Sequence, residues 1–321
     1  MPLRAVIASL LLAVFCVSAN AATVAYAEAF DTLYAVDLST RSASPIGPAG
    51  SWGGTALSNV AGLTVAPNGQ LYAVTDTLLK ALVTIDRSTG AATVVGPLGG
   101  DAGLGDTGQG AFNVLDLGLS FTCDGRLWLS SAATGSFWQV DPATAAVTKV
   151  GNLGAKITGL TARGNQLYGA GSQSTPSLYR IDVGNAHATA IGSYGPGIDP
   201  ITTTSPGFDA SGKLWSILDD VPPLPPQNSQ PQWSSLATLD TAGAMTILGD
   251  ITTPAGLKYP SNATQLPYVG LKGLAIASPC SIAAPLATDT APSLSAAGLS
   301  ALILLLVALA GTSPALRRRS C

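Results

Sequence analysis

Residues 157–192 read ITGLTARGNQLYGAGSQSTPSLYRIDVGNAHATAIG, and the fold is decided here. Ile157-Thr158-Gly159-Leu160-Thr161 reads as a strand, and Arg163-Gly164-Asn165 turns the chain. Gln166–Ala170 is a second strand and Ser177–Asp182 a third. Val183-Gly184-Asn185 turns again, and Ala188–Gly192 is the fourth. Four short strands with tight turns between them make an antiparallel meander.

The same order recurs along the chain. One unit has Gly62-Leu63, the turn Pro67-Asn68-Gly69, Leu71-Tyr72, Ile85-Asp86 and Val94-Val95-Gly96. The next has Gly118-Leu119, Cys123-Asp124-Gly125, Leu127-Trp128, Val140-Asp141 and Val150-Gly151. A later one has Gly207-Phe208, Ser211-Gly212, Leu214-Trp215, Leu239-Asp240 and Leu248-Gly249. Asn-Gly and Asp-Gly suit hairpin turns whose central residues need φ > 0. The N-terminal unit offers only Thr23–Ala27, Thr32–Asp37 and Ala43–Gly47, without a Gly-Leu first strand. The missing piece stands at the far end, as Gly273-Leu274-Ala275-Ile276-Ala277. A linear array has no reason to split a unit this way, whereas a ring removes its exposed edges by doing so. The expected fold is all-β, a propeller of five four-stranded blades, with the C-terminal strand joining the N-terminal blade. A β-sandwich is the alternative architecture, and six or more blades follow if residues 250–268 hold further strands.

Each unit ends its third strand on an aspartate: Asp37, Asp86, Asp141, Asp182 and Asp240. Equivalent positions on separate blades do not converge, so these acids are expected to cap turns rather than ring a metal.

Charged residues are only 10 % of the chain, which disfavours long solvated helices. Arg4 and Arg317–Arg319 lie in the terminal segments. Without them, eleven basic residues face eighteen acidic ones, a body of net charge near −7. An acidic body without a basic stripe excludes nucleic acid as the expected partner.

Residues 1–21 read as a secretory signal peptide. Arg4 supplies the charged start, Val6–Val17 the apolar stretch, and Ala19-Asn20-Ala21 a small-x-small site cut after Ala21. The propeller is expected over 22–280, followed by a spacer rich in Ala, Pro, Thr and Ser over 281–294 and a tail over 295–321. Ala296–Leu316 has the ~20 residues a helix needs to span a bilayer. Arg317, Arg318 and Arg319 behind it hold the C-terminus in the cytoplasm. The propeller is then exported, to periplasm, cell surface or medium.

Two resemblances bear on this layout. The pattern Gly-Leu…Asp-Gly-x-Leu-Trp/Tyr…Leu-Tyr-x-Ile-Asp-x-x-Thr-Gly…Val-Gly, over roughly Thr23 to Pro279, resembles secreted YncE-like and NHL-like β-propellers. That resemblance implies binding of a protein, a glycan or a small ligand, with enzymes a minority. The tail is similar to the bacterial IPTL-CTERM and PEP-CTERM sorting signals. Pro292, Leu294, Ser295 and Gly298 match that motif, while Ala291, Ser293 and Ala297 depart from it. The likeness implies recognition and cutting by an exosortase-like membrane peptidase, and an uncut tail anchor is the alternative.

Few residues suggest chemistry. His187 is the lone histidine and reads as a partly exposed strand residue. Zinc sites built on His and Cys are excluded, and no cofactor is expected. The functional candidates are on the loops that link fourth to first and second to third strands, which share one face of a meander ring. That face carries Trp52, Asp76, Asp101, Asp106, Asp199, Asp219, Asp220 and Tyr259. The Gly-rich run 99–106, with Asp101 and Asp106, can wrap a Ca²⁺ with carboxylate and carbonyl oxygens, and equally reads as a solvated loop. In an oxidising compartment Cys123 and Cys280 are the default pair. They follow first strands of non-adjacent blades, and a bond requires the segment after Pro279 to reach the Asp124-Gly125 turn, so the pairing stays open. The leading function is a non-enzymatic module that binds protein or glycan. The alternatives are a hydrolase or lyase using loop carboxylates with Ca²⁺, and a passive component of an extracellular matrix.

Overall fold

The computed structural model describes residues 24–76, 79–103, 115–172, 175–196, 198, 201–220, 234–252 and 270–282. The first strands in chain order are Val24–Ala29 (β1), Thr32–Asp37 (β2) and Ser42–Pro48 (β3), then a small hairpin of Ser51–Trp52 (β4) and Thr55–Ala56 (β5). A sheet follows of Val60–Val65 (β6), Leu71–Thr75 (β7), Ala81–Ile85 (β8) and Ala92–Pro97 (β9), and one helical turn at Gly100–Gly103 (α1). Next come Leu117–Phe121 (β10), Leu127–Ser131 (β11), Ser136–Val140 (β12) and Val147–Asn152 (β13). Then come Ile157–Arg163 (β14), Gln166–Gly171 (β15), Ser177–Asp182 (β16) and His187–Ser193 (β17). The last sheet is Ile201–Phe208 (β18), Leu214–Asp220 (β19), Ser234–Leu239 (β20) and Met245–Asp250 (β21), and Lys272–Ala275 (β22) is the last described strand.

The strands form five four-stranded antiparallel sheets, and the architecture is a five-bladed β-propeller. β22 pairs with β1, Tyr26 opposite Ala275 and Glu28 opposite Lys272, so the first sheet runs β22-β1-β2-β3. The innermost strands β22, β6, β10, β14 and β18 are successive neighbours, and β18 lies beside β22. Their close approach depends on small residues. A Cβ on Gly118 would lie 3.1 Å from the Gly159 Cα, and one on Gly62 would meet Leu119. Side chains fill the spaces between blades. Trp128 stacks on Phe137 with centroids 5.3 Å apart, and Tyr72 meets Phe121 edge-on at 5.1 Å.

One unit sits in a different register from its sequence reading. Gly159 lies on the strand pair Gly159↔Ala170, and the corresponding pair in the fifth blade is Ser205↔Ile217. Ser205 and Pro206 therefore occupy the Gly-Leu position, not Gly207 and Phe208. The slip is two residues, which leaves every side chain on its correct face, so alternation alone cannot detect it. Ser205 also bonds where its counterparts have only hydrogen: its Oγ accepts the Gly273 N–H at 3.0 Å.

The five aspartates cap their turns. Asp37 accepts N–H groups of Ser39 and Thr40, Asp86 those of Ser88 and Thr89, and Asp141 that of Ala143. Asp182 accepts Gly184, and Asp240 accepts Ala242 and Ala244. The hydroxyls of Ser39 and Ser88, with those N–H groups, hold Asp37 and Asp86 below the usual carboxylate range. Each capped turn then carries a residue at positive φ: Arg41, Gly90, Ala145, Ala186 and Gly243.

Those turns meet the neighbouring blade at its Val-Gly motif. Gly47, Gly96, Gly151, Gly192 and Gly249 each follow a register shift between the third and fourth strands. A Cβ on Gly96 would lie 2.8 Å from the Thr144 carbonyl oxygen of the next turn, and one on Gly151 2.9 Å from the Ala186 Cβ. Gly47 meets Thr89, Gly192 meets Ala242, and Gly249 meets Arg41 of the first blade.

Cys123 and Cys280 are joined by a disulfide, with Cα atoms 4.9 Å apart and 157 residues between them in sequence. The segment after β22 does cross to the β10–β11 turn. Gly164 donates its N–H to the Pro279 carbonyl at 3.0 Å, and Cys123 donates to Gly164 at 2.9 Å.

Two stability measurements check these contacts. Gly47→Ala drives a methyl into the Thr89 carbonyl and is expected to cost about 2–4 kcal/mol in urea unfolding. Gly99→Ala has open space around it and is expected to change stability by less than about 0.5 kcal/mol. Equal effects would contradict the blade contact. Cys280→Ser is expected to cost about 2–5 kcal/mol. Labelling of both cysteines by a thiol reagent in the folded, unreduced chain would contradict the bond.

Candidate functional site

Among the described residues, the connections of the first two blades are tied to each other by their backbones. Ala49 donates to Asp31, Val60 to Phe30, Asp76 to Asn59 and Leu98 to Lys80, at 2.7–3.0 Å. The face therefore stands on turns of the blades themselves. Its most projecting described feature is the β4–β5 hairpin. Gly53 and Gly54 both have positive φ, as a two-residue hairpin turn of this hand requires. Trp52 pairs with Thr55 on this hairpin and is 47 % exposed.

Two acids expected on that face are inside the protein. Asp76 is fully buried; it pairs with Lys80 at 3.2 Å and accepts the Leu115 N–H on both oxygens, at 2.9 and 3.1 Å. Burial pushes its carboxyl up, against the Leu115 hydrogen bond and the Lys80 charge. Asp219 is buried and accepts the hydroxyls of Thr203 at 3.0 Å and Ser234 at 2.6 Å. Ser234 in turn accepts the Leu271 N–H at 2.8 Å, so Asp219 fixes the entry into β22. Both acids follow the apolar stretch of a second strand, where the turn closes over them. That placement, not a ligand, accounts for their carboxylates.

One acid that reaches solvent is one the sequence did not single out. Asp116, just before β10, lies 3.8 Å from Lys272 of β22, and both are partly exposed. They stand at the mouth of the propeller axis with Thr158, Thr203 and Ser205. The cavity there is about 20 Å³, enough for a water-sized guest but far below the ~300 Å³ of a small-molecule site. Asp116 and Lys272 are far apart in the chain and sit outside any motif, so only the pairing of β22 with β1 brings them together.

Glu28 was also missed. Its carboxyl is fully buried, and neither oxygen has a hydrogen-bond partner. In strand register the same position holds Val74, Ser130, Ala170 and Ile217 in the other blades. Aligning the blades would have shown an acid in a column of apolar and small residues. Burial, and next the Asp31 charge, push this carboxyl well above its ordinary range.

The remaining candidates fall as follows. His187 is exposed at the start of β17. For Asp101 in α1 and Asp220 at the end of β19 the backbone alone is described. Asp106, Asp199, Tyr259, Ala21 and the tail residues Pro292, Leu294, Ser295, Gly298, Arg317, Arg318 and Arg319 lie outside the described residues. Among the described residues, no three His, Cys, Asp or Glu side chains come together to hold a metal. Among them, too, no helix is long and apolar enough to cross a membrane.

No family model matches the chain, and no curated protein matches it. Solved structures resemble it in part. A chain of a nidogen/laminin complex is 11 % identical, with 78 % of this chain and 97 % of that one covered and a TM-score of 0.48. Virginiamycin B lyase from Staphylococcus aureus is 12 % identical, with 69 % and 64 % covered and a TM-score of 0.40. Hydrazine synthase of Kuenenia stuttgartiensis is 20 % identical, with 62 % and 53 % covered and a TM-score of 0.35. The chain thus spans about half of the hydrazine synthase chain and just under two thirds of the lyase.

Glu28 makes a pH-dependent prediction. Its folded carboxyl titrates above the unfolded value of about 4.3. Folding then opposes ionisation, so wild-type stability falls as pH rises through and beyond that value, by at most about 1.4 kcal/mol per pH unit. Glu28→Gln removes the penalty. The variant is expected to be more stable than wild type at pH 8, with the difference vanishing toward pH 4. A variant less stable at pH 8 would show that the ionised carboxylate is stabilised in the fold.

Proposed function

We propose that this protein is an exported, surface-anchored or sorted propeller that binds a protein or a glycan through its loop face and catalyses no reaction. The observation that carries this reading is Trp52. A large aromatic side chain, 47 % exposed on a hairpin held by two glycines, costs solvation and adds nothing to the core. Rigid exposed aromatics offer contact area with little entropy to lose, and they are the usual anchors of binding surfaces. The buried engagement of Asp76 and Asp219 supports a binding role over hydrolysis, because neither is placed to exchange a proton with a bound ligand. Export rests on the N-terminal segment, and membrane association and sorting rest on the tail.

Purified full-length protein on an array of neutral polysaccharides and immobilised matrix proteins tests the reading. Trp52→Ala is expected to weaken the strongest interaction at least tenfold by biolayer interferometry, with an unchanged melting temperature. Unchanged affinity, or turnover of the bound saccharide, would refute it. Mass spectrometry of the protein from its native host tests the termini. An intact chain through Cys321 would refute processing of the tail.

A further inference from the structure

A wedge opens between two of the blades. The wedge between the fourth and fifth blades is about 540 Å³, within the range of small-ligand sites. Its walls are apolar, with Leu178 and Ile191 on one side and Phe208, Leu214 and Leu239 on the other. Its charges are unlike those of the body. Arg180 stands exposed on β16 and Lys213 exposed before β19, one on each wall, and Arg163 lies above the Phe208 ring at 6.0 Å. Lys213 is held over the Trp215 ring at 3.8 Å. The single acid of the lining is Asp240, whose Oδ1 is taken by the N–H groups of Ala242 and Ala244. Three cations against one carboxylate make this lining net positive on a body of net charge near −7.

A groove on the second blade offers a comparison of similar size. The groove beside β8 and its capped turn measures about 510 Å³ and is lined by Gln70, Thr84, Asp86, Arg87 and Thr93. It holds one acid and one base, with Arg87 laid over the Tyr26 ring at 5.3 Å. A groove of similar volume thus carries balanced charge, while the excess of cations belongs to the wedge between the fourth and fifth blades.

We propose that this wedge binds an acidic saccharide, its uronate carboxylates bridging Arg180 and Lys213 and its ring faces lying on the aliphatic walls. Guanidinium recognises carboxylate with two parallel hydrogen bonds, and ammonium adds a point charge across the groove. The apolar walls favour a ligand with a body over a bare anion. The choice of a saccharide rests on the export reading above, but the site is separate from Trp52.

Isothermal titration of the full chain with a mannuronate tetrasaccharide tests this, beside cellotetraose and sodium sulfate. The uronate is expected to bind, with affinity falling as salt rises. Arg180→Ala and Lys213→Ala are each expected to weaken it at least tenfold without changing the melting temperature, and Trp52→Ala to leave it unchanged. Equal affinity for cellotetraose, equal affinity for sulfate, or no loss in Arg180→Ala would each overturn the proposal. Loss in Trp52→Ala alone would assign uronate binding to the loop face and overturn the wedge. Loss in the two wedge variants, with no ligand sensitive to Trp52→Ala, would uphold the wedge and refute the loop-face reading.

Discussion

The blades are held in sequence by one contact, the seating of each third-to-fourth turn against a glycine of the preceding blade. At Gly47, Gly96 and Gly192 a Cβ would strike a backbone carbonyl oxygen of that turn, while Gly151 and Gly249 face the side chains of Ala186 and Arg41. The outer strand bends to receive the turn, and all five outer pairs shift register at this point. The turn must also present its backbone, which it does by placing one residue at positive φ behind a capping aspartate. Aspartate, turn and glycine are therefore one device. Its repetition from the fifth blade back to Arg41 of the first is independent of the pairing of β22 with β1.

The device was largely legible in sequence because it is local. An aspartate, a turn and Val-Gly recur within about a dozen residues, and such spacing survives when the connections vary. The successive aspartates are 49, 55, 41 and 58 residues apart, and that variation is taken up in loops. What could not be read is what depends on register or on distant pairing. Gly207-Phe208 mimics the Gly-Leu pair because a two-residue slip preserves alternation, and Pro206 in the true position disguises it. Glu28 hides for a related reason: its oddness exists only in the column formed by the other blades. The union of Cys123 with Cys280 depends on how the segment after β22 leaves the ring, which nothing in either neighbourhood specifies.

The loop acids show why residue type alone misled. Asp76 and Asp219 stand where a second strand ends beneath the next connection, and a carboxylate there can accept several N–H or O–H groups at once. Asp76 gathers Leu115 and Lys80, and Asp219 gathers Thr203 and Ser234. Both tie the beginning of an inner strand to the end of a second strand, one at β10 and one at β22. A sequence reader sees acids in long loops; the fold uses them as pins for its innermost strands.

The same small residues that bring the inner strands together also restrict where a ligand can go. Gly62, Gly118, Gly159, Ser205 and Gly273 narrow the axis until the mouth near Asp116 and Lys272 has room for little more than water. A guest larger than that must lie on the loop face or in a wedge between blades. Those two locations differ in chemistry. The face offers an aromatic surface on a glycine hairpin, suited to a flat or extended partner. The wedge between the fourth and fifth blades offers separated cations above aliphatic walls, suited to an anion with an apolar body. A ligand carboxylate in that wedge meets three cations in a lining that holds one carboxylate, Asp240, whose Oδ1 caps its own turn.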